Sequence, residues 1–176
     1  MSAKLYEKAN GGLRRCILCP HFCILKKNQF GRCLVRKSDG EKIYLYTYGY
    51  LTNMAVEPIE KKPFLHFMPN TKTLSIGSWG CNLSCKFCEN FDISQQEKKH
   101  TSEYHYVDLI VEWALYKECE SICMTYNEPI IYYEYLMDIA DKCHENDIRF
   151  IIKTNAYVNK EPWADICGVV DAMNVD

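Results

Sequence analysis

Thr71-Lys72-Thr73-Leu74-Ser75-Ile76-Gly77-Ser78-Trp79-Gly80-Cys81-Asn82-Leu83-Ser84-Cys85-Lys86-Phe87-Cys88 decides the fold. An apolar run of strand type closes on two glycines and then sets three thiols on eight residues. Downstream, Val107, Ile110, Val111, Ala114 and Leu115 recur at helical spacing behind the capping candidates Thr101 and Ser102. Residues 121–126 read as a second strand, 130–145 as an amphipathic helix, 148–154 as a third strand, 162–167 as a short helix and 168–175 as a fourth strand. Strand and helix in alternation are the signature of parallel βαβ units, so the fold class is α/β. A closed eight-stranded barrel takes about 250 residues, so residues 71–176 are expected to supply a partial (βα) barrel of about half the strands.

Upstream, residues 1–70 are expected to form a small Cys-rich β module with an extended connection. Residues 16–33 read as cysteine-knuckled loops and 42–51 as one strand carrying Tyr44, Tyr46, Tyr48 and Tyr50 on one side, where cross-strand packing accounts for them. Pro58, Pro63 and Pro69 make 57–69 a connection rather than a helix. The run Glu60-Lys61-Lys62 and His66 read as solvent-facing first and as catalytic candidates second. Residues 1–42 hold ten Lys+Arg against three Asp+Glu, whereas the rest holds 11 against 20. The basic residues are scattered among apolar ones, which fits a solvated face better than a nucleic-acid footprint.

The chain has 176 residues, 48% of them hydrophobic and 25% charged, which excludes disordered and fibrous classes. No stretch approaches the roughly 18 apolar residues of a spanning helix, and no signal-peptide core is evident, so a cytoplasmic location is expected. Eleven cysteines in a reducing compartment point to metal or redox chemistry rather than disulfides.

Cys81, Cys85 and Cys88 can hold one corner of an iron–sulfur cube and leave one iron open, in the place after a strand where parallel α/β proteins bind ligands. Zinc completed by His100 or by a distant cysteine is the alternative. Cys16, Cys19, Cys23 and Cys33 form a second group whose spacing fits zinc and an auxiliary iron–sulfur cluster equally well, with His21 as a packing neighbour. Cys119, Cys123, Cys143 and Cys167 stand singly and are expected to be small buried hydrophobes.

Five segments in order carry a resemblance: Arg15-Cys16-Ile17-Leu18-Cys19-Pro20-His21-Phe22-Cys23; Gly31-Arg32-Cys33-Leu34-Val35-Arg36; Pro58-Ile59-Glu60-Lys61-Lys62-Pro63; Gly80 through Cys88 with Glu89-Asn90; and Thr125-Tyr126-Asn127-Glu128-Pro129. The chain resembles the AmmeMemoRadiSam radical S-adenosylmethionine enzymes, a group similar to pyruvate formate-lyase activating enzymes. The resemblance implies that Cys81, Cys85 and Cys88 ligate a [4Fe-4S] cluster whose open iron chelates S-adenosylmethionine. It implies reductive cleavage to methionine and a 5′-deoxyadenosyl radical that abstracts hydrogen. Phe87 would lie near the adenine, while Asn127 and above all Glu128 would meet the cosubstrate's amino group. Asn155 and Asn174 would complete its site, with Asp176 beside them. Implied partners are an electron donor such as ferredoxin or flavodoxin and a protein or small-molecule substrate; no membrane or nucleic acid is expected. Ala156 stands where the family has glycine, and alanine at positive φ costs about 1 kcal/mol.

A half barrel leaves a strand edge open, so a chain completing the barrel, a homodimer or weak activity is expected. Two other classes compete: a non-catalytic iron–sulfur or zinc-binding interaction module, and a zinc-ribbon nucleic-acid binder.

Overall fold

The computed structural model describes residues 1–95 and 103–176. His100, Thr101 and Ser102, which the sequence offers as a ligand and as caps, lie outside the described residues.

The N-terminal third is built from short strands: β1 (Tyr6–Lys8), β2 (Arg14–Cys16), β3 (Ile24–Leu25), β4 (Arg36–Ser38), β5 (Ile43–Leu45) and β6 (Tyr50–Leu51). They are followed by β7 (Asn53–Pro58), β8 (Lys72–Gly77), α1 (Phe91–Ser94), β9 (Glu103–Tyr104), α2 (Val107–Tyr116), β10 (Ser121–Met124), α3 (Tyr133–Glu145), β11 (Arg149–Thr154), α4 (Lys160–Val169) and β12 (Ala172–Val175). Strands β1, β2 and β3 make one antiparallel sheet, and β4 with β5 and β6 with β9 make two-stranded ribbons. The main sheet runs β12-β11-β10-β8-β7. Its first four strands are parallel, and β7 joins antiparallel at the edge.

The parallel register puts Ile122 beside Leu74 and Phe150, and Met124 beside Ile76 and Ile152. Because side chains alternate along a strand, all six point to the same face, where α2 and α3 cover them. Cys123 and Ile151 point the other way and are covered by Ile59 and Phe64. Both faces are therefore dry, which is why these strands read as nearly unbroken apolar runs.

Three expectations change. Residues 53–58 are a full strand paired from Asn53↔Gly77 to Pro58↔Lys72. Pro58 is tolerated because it ends an edge strand, and the connection after it folds inward over the sheet. The expected strand at 42–51 is broken: Tyr50 N–H donates to Thr47 O at 2.9 Å, and Gly49 lies at φ +77°. A Cβ on Gly49 would stand 2.5 Å from the Tyr104 ring, so the break belongs to the contact between β6 and β9. Finally, Cys119, Cys123 and Cys143 are buried as expected, but Cys167 is exposed on α4. A short helix with a narrow buried face, only Pro162 and Ile166, leaves that position in solvent.

A buried ion pair ties the N-terminal third to the rest. Arg36 Nη2 meets Glu134 Oε2 at 2.6 Å, Arg36 Nε donates to Ile131 O, and Lys4 N–H donates to the other Glu134 oxygen at 2.8 Å. Among the described residues, no helix is long and apolar enough to cross a membrane.

Candidate functional site

Strands β8, β10, β11 and β12 all end at one edge of the sheet, and the chain after β8, β10 and β11 turns over that edge. A Cβ on Gly77 would approach Thr125 O to 2.6 Å, so only glycine lets the two strand ends come this close. Gly80 takes φ +83° and would carry a Cβ 2.3 Å from Cys33 O. The three-cysteine loop thus leaves the sheet directly beneath the N-terminal module.

Backbone closes the loop, with Gly80 N–H donating to Ile93 O at 2.9 Å and Cys88 N–H to Cys85 O at 3.2 Å. Gln95 Nε2 donates to Leu83 O, and the Cys88 sulfur lies 3.3 Å from Ser94 Oγ. Leu83 N–H donates to Cys81 Sγ at 3.4 Å. Burial pushes the Cys81 thiol up to about 11, a rise that the Leu83 N–H only partly offsets.

Asn127 spends most of its side chain on the segment that leads into this loop. Its Oδ1 accepts from Ser78 N–H (3.0 Å) and Tyr132 OH (3.2 Å), while Nδ2 donates to Trp79 O (3.1 Å) and Gly80 O (2.9 Å). Glu128 is buried next to it. Its Oε1 accepts from Ile130 N–H and Thr154 OH, and its Oε2 from Asn155 N–H at 2.8 Å. Burial raises its carboxyl to about 7 despite these three donors. Asn155 donates from Nδ2 to Asn82 Oδ1 at 3.0 Å and lies 3.9 Å from the Cys81 sulfur.

These strand ends and the loop enclose a pocket of about 480 Å³. Cys85, Phe87 and Cys88 form one wall, Thr125 through Glu128 the floor, and Asn155 and Asp176 a third side. Of the residues singled out from sequence, Cys81 and Asn174 do not line it, and Asn174 Oδ1 is buried without a hydrogen-bond partner among the described residues. Phe87 is 89% exposed, an aromatic face left open among the described residues.

The far wall joins Lys61 and Lys62, second-choice catalytic candidates in the sequence, to Glu57, which sequence reasoning missed. Glu57 Oε1 pairs with Lys61 and Oε2 with Lys62, each at 2.5 Å, and Tyr126 OH donates to Oε2 at 2.8 Å. Burial alone would raise Glu57, but these three donors outweigh it and hold the carboxyl down to about 2. Lys62 is buried and sits 4.4 Å from the Tyr126 ring centroid, so it does not face solvent as expected. Lys61 is exposed, and Glu60 turns away to accept from Asn70 N–H. Asn82, fully buried between Asn155 and the Tyr157 carbonyl, is a second omission. Only its place inside the cysteine motif could have drawn attention to it.

Cys16, Cys19, Cys23 and Cys33 line a separate, nearly closed cavity beside Arg36 and Ile131. His21 also borders this cavity, but its Nε2 donates to Asn82 O at 2.7 Å, and its ring packs on Tyr157. Among the described residues, no three Cys, His, Asp or Glu side chains stand as a ready ligand cage. The donor chemistry of the 81–88 loop nevertheless suits an iron–sulfur group. Three sulfurs lie on one short loop, one of them receives a backbone N–H, and two open on the pocket.

Residues 76–176 match the radical SAM superfamily, and the chain belongs to it. Membership implies a [4Fe-4S] cluster, S-adenosylmethionine and a reductant. The chain is 38% identical over 178 residues to the protein MJ0808 of Methanocaldococcus jannaschii, covering 99% of this chain and 52% of that one. It is 22% identical over 102 residues to the 4-hydroxyphenylacetate decarboxylase activating enzyme of Clostridium scatologenes, covering 53% of this chain and 33% of the enzyme. It therefore spans about half the length of the first of these curated relatives and a third of the second.

Two outcomes follow from the geometry. Ala156 lies at φ +52°, in the left-handed region, so Ala156→Gly is expected to stabilise the fold by about 1 kcal/mol in urea unfolding, and a loss of stability would contradict this. Glu128 rises from an ordinary 4.5 to about 7, so the folded chain holds that proton more tightly than the unfolded chain. Stability should then fall as pH rises through this window, by about 3 kcal/mol in all. Glu128→Gln is expected to flatten that slope, and an unchanged slope would refute the assignment.

Proposed function

We propose that Cys81, Cys85 and Cys88 hold a [4Fe-4S] cluster and that the neighbouring strand ends hold S-adenosylmethionine, in a radical enzyme that abstracts hydrogen from its substrate. The supporting observation is the shared pocket: Cys85 and Cys88 open on the same space as Thr125, Glu128 and Asn155. When bound and reduced, such a cluster supplies the electron that splits S-adenosylmethionine into methionine and a 5′-deoxyadenosyl radical.

The chain's own residues divide the remaining work. Glu128 accepts three hydrogen bonds and keeps one lone-pair position. An incoming ammonium can take that position, which favours the ionised carboxylate. Thr154 and Asn155 hold the carboxylate in place from β11. Asn127 is a positioning residue rather than a cosubstrate ligand, since its amide is already fully used. Asn155 and Asn82 steady Cys81 from the opposite side. Phe87 offers its open face to a flat apolar group such as adenine. Asp176, paired with Lys153 at 3.1 Å, stands at the rim, and Asn174 has an unspent acceptor nearby on β12.

In this reading the parallel strands of residues 71–176 are half of a (βα) barrel preceded by the Cys-rich module of residues 1–70. The protein falls with the AmmeMemoRadiSam group, works in the cytoplasm and draws electrons from a ferredoxin or flavodoxin. The likeness to a decarboxylase activating enzyme makes a protein the first substrate to test. Further strands, in a longer chain or a partner, would cover the open edge of β12.

Anaerobic reconstitution with iron and sulfide is expected to place about four irons per chain on the 81–88 loop. Dithionite and S-adenosylmethionine should then yield 5′-deoxyadenosine, and Cys88→Ala should lose both iron and product. Failure to take up iron, or equal uptake by Cys88→Ala, would contradict the proposal.

A further inference from the structure

The cavity within the N-terminal module shares no lining residue with the pocket at the strand ends. Cys16 ends β2, Cys19 and Cys23 flank the turn into β3, and Cys33 comes from the loop before β4, yet all four border one space. Cys16, Cys19 and Cys33 are buried and Cys23 is half-buried. The turns that bring them there are tight, with Phe22 N–H donating to Cys19 O and Leu34 N–H to Gly31 O. Arg32 N–H already donates to Cys23 Sγ at 3.4 Å, the kind of contact a thiolate ligand uses.

Arg36 supplies the second, independent observation. It forms part of the cavity wall and is 1% exposed. Its Nε and Nη2 are paired with Ile131 O and Glu134, but Nη1 has no hydrogen-bond partner among the described residues. A buried guanidinium nitrogen left unpaired costs free energy unless something in the cavity accepts from it. Thiolate sulfur drawn onto a cation would be such an acceptor.

We propose that Cys16, Cys19, Cys23 and Cys33 bind a single zinc ion in the cavity walled by Arg36 and Ile131, and that this ion clamps the N-terminal module onto the 81–88 loop. The free space is about 10 Å³, room for one water-sized sphere, which suits a single ion better than a second cubane. The four sulfurs do not form a cage as they stand, so binding turns them inward by side-chain rotation. With four protein ligands the site is closed and structural, with no open coordination position. Its effect reaches the loop through three contacts: His21 to Asn82 O, Arg32 Nη2 to Ser84 Oγ at 3.1 Å, and the Cys33 carbonyl packed on Gly80.

The test uses the 176-residue chain with Cys81→Ala, Cys85→Ala and Cys88→Ala combined, which removes the other sulfur group and leaves these four thiols untouched. Metal analysis after dialysis is expected to find about one zinc per chain. Cobalt in its place should give the charge-transfer spectrum of a tetrahedral thiolate site. Adding Cys16→Ser or Cys33→Ser should abolish both signals. Retention of no metal by the triple-alanine chain, iron with sulfide in place of zinc, or zinc content indifferent to the serine changes would overturn the proposal. If the serine variants fail to fold, metal content and the cobalt spectrum of the triple-alanine chain decide alone. Because that chain cannot perform radical chemistry, the result is separate from the fate of the cosubstrate reading.

Discussion

A single carboxamide holds the working edge of this protein together. The Asn127 side chain, rooted at the end of β10, hydrogen-bonds Ser78, Trp79 and Gly80 of the segment leaving β8. A buried amide with every donor and acceptor matched is favourable only in one geometry, since each unmatched group costs about 1–3 kcal/mol. The exit path of the three-cysteine loop is therefore set by β10 as much as by β8. The next residue, Glu128, carries the constraint on to β11 through Thr154 and Asn155, and Asn155 returns it to Cys81. The parallel register makes this circuit possible by bringing three strand ends to one edge.

Around that circuit the chain arranges two supports of different character. On one side, Glu57, Lys61, Lys62 and Tyr126 form a charged wall, in which the buried charges of Glu57 and Lys62 are paired beside the pocket. On the other, the N-terminal strands meet the loop through His21, Arg32 and Cys33 and are tied to α3 by Arg36 and Glu134. The loop that bears the cysteines is thus gripped from below by the sheet and from above by the module.

Much of this was legible in the sequence, for physical reasons. The parallel strands are short apolar runs because both faces are dry, and Ile122, Met124, Phe150 and Ile152 announce them. The motif residues fall after strands, so the sequence itself assigns Cys81 through Cys88, Asn127, Glu128 and Asn155 to one edge. What escaped depends on contacts distant in the chain. Strand β7 was hidden because Glu57 and Pro58 look like a connection until β8 supplies the pairing partner. The tyrosine-rich run was broken at Gly49 by Tyr104, more than 50 residues away. Lys62 looked solvated until the turn after β7 swung it under Glu57. The resemblance places Asn127 at the strand end, but only the fold shows that its amide is already hydrogen-bonded to Ser78, Trp79, Gly80 and Tyr132.

The most direct measurement is the electron paramagnetic resonance spectrum of the reconstituted, reduced chain with and without S-adenosylmethionine. If the 81–88 loop presents a cluster to a cosubstrate held at the strand ends, adding the cosubstrate shifts the g values and narrows the signal. A spectrum indifferent to S-adenosylmethionine at saturating concentration would show that the pocket and the three cysteines do not work together.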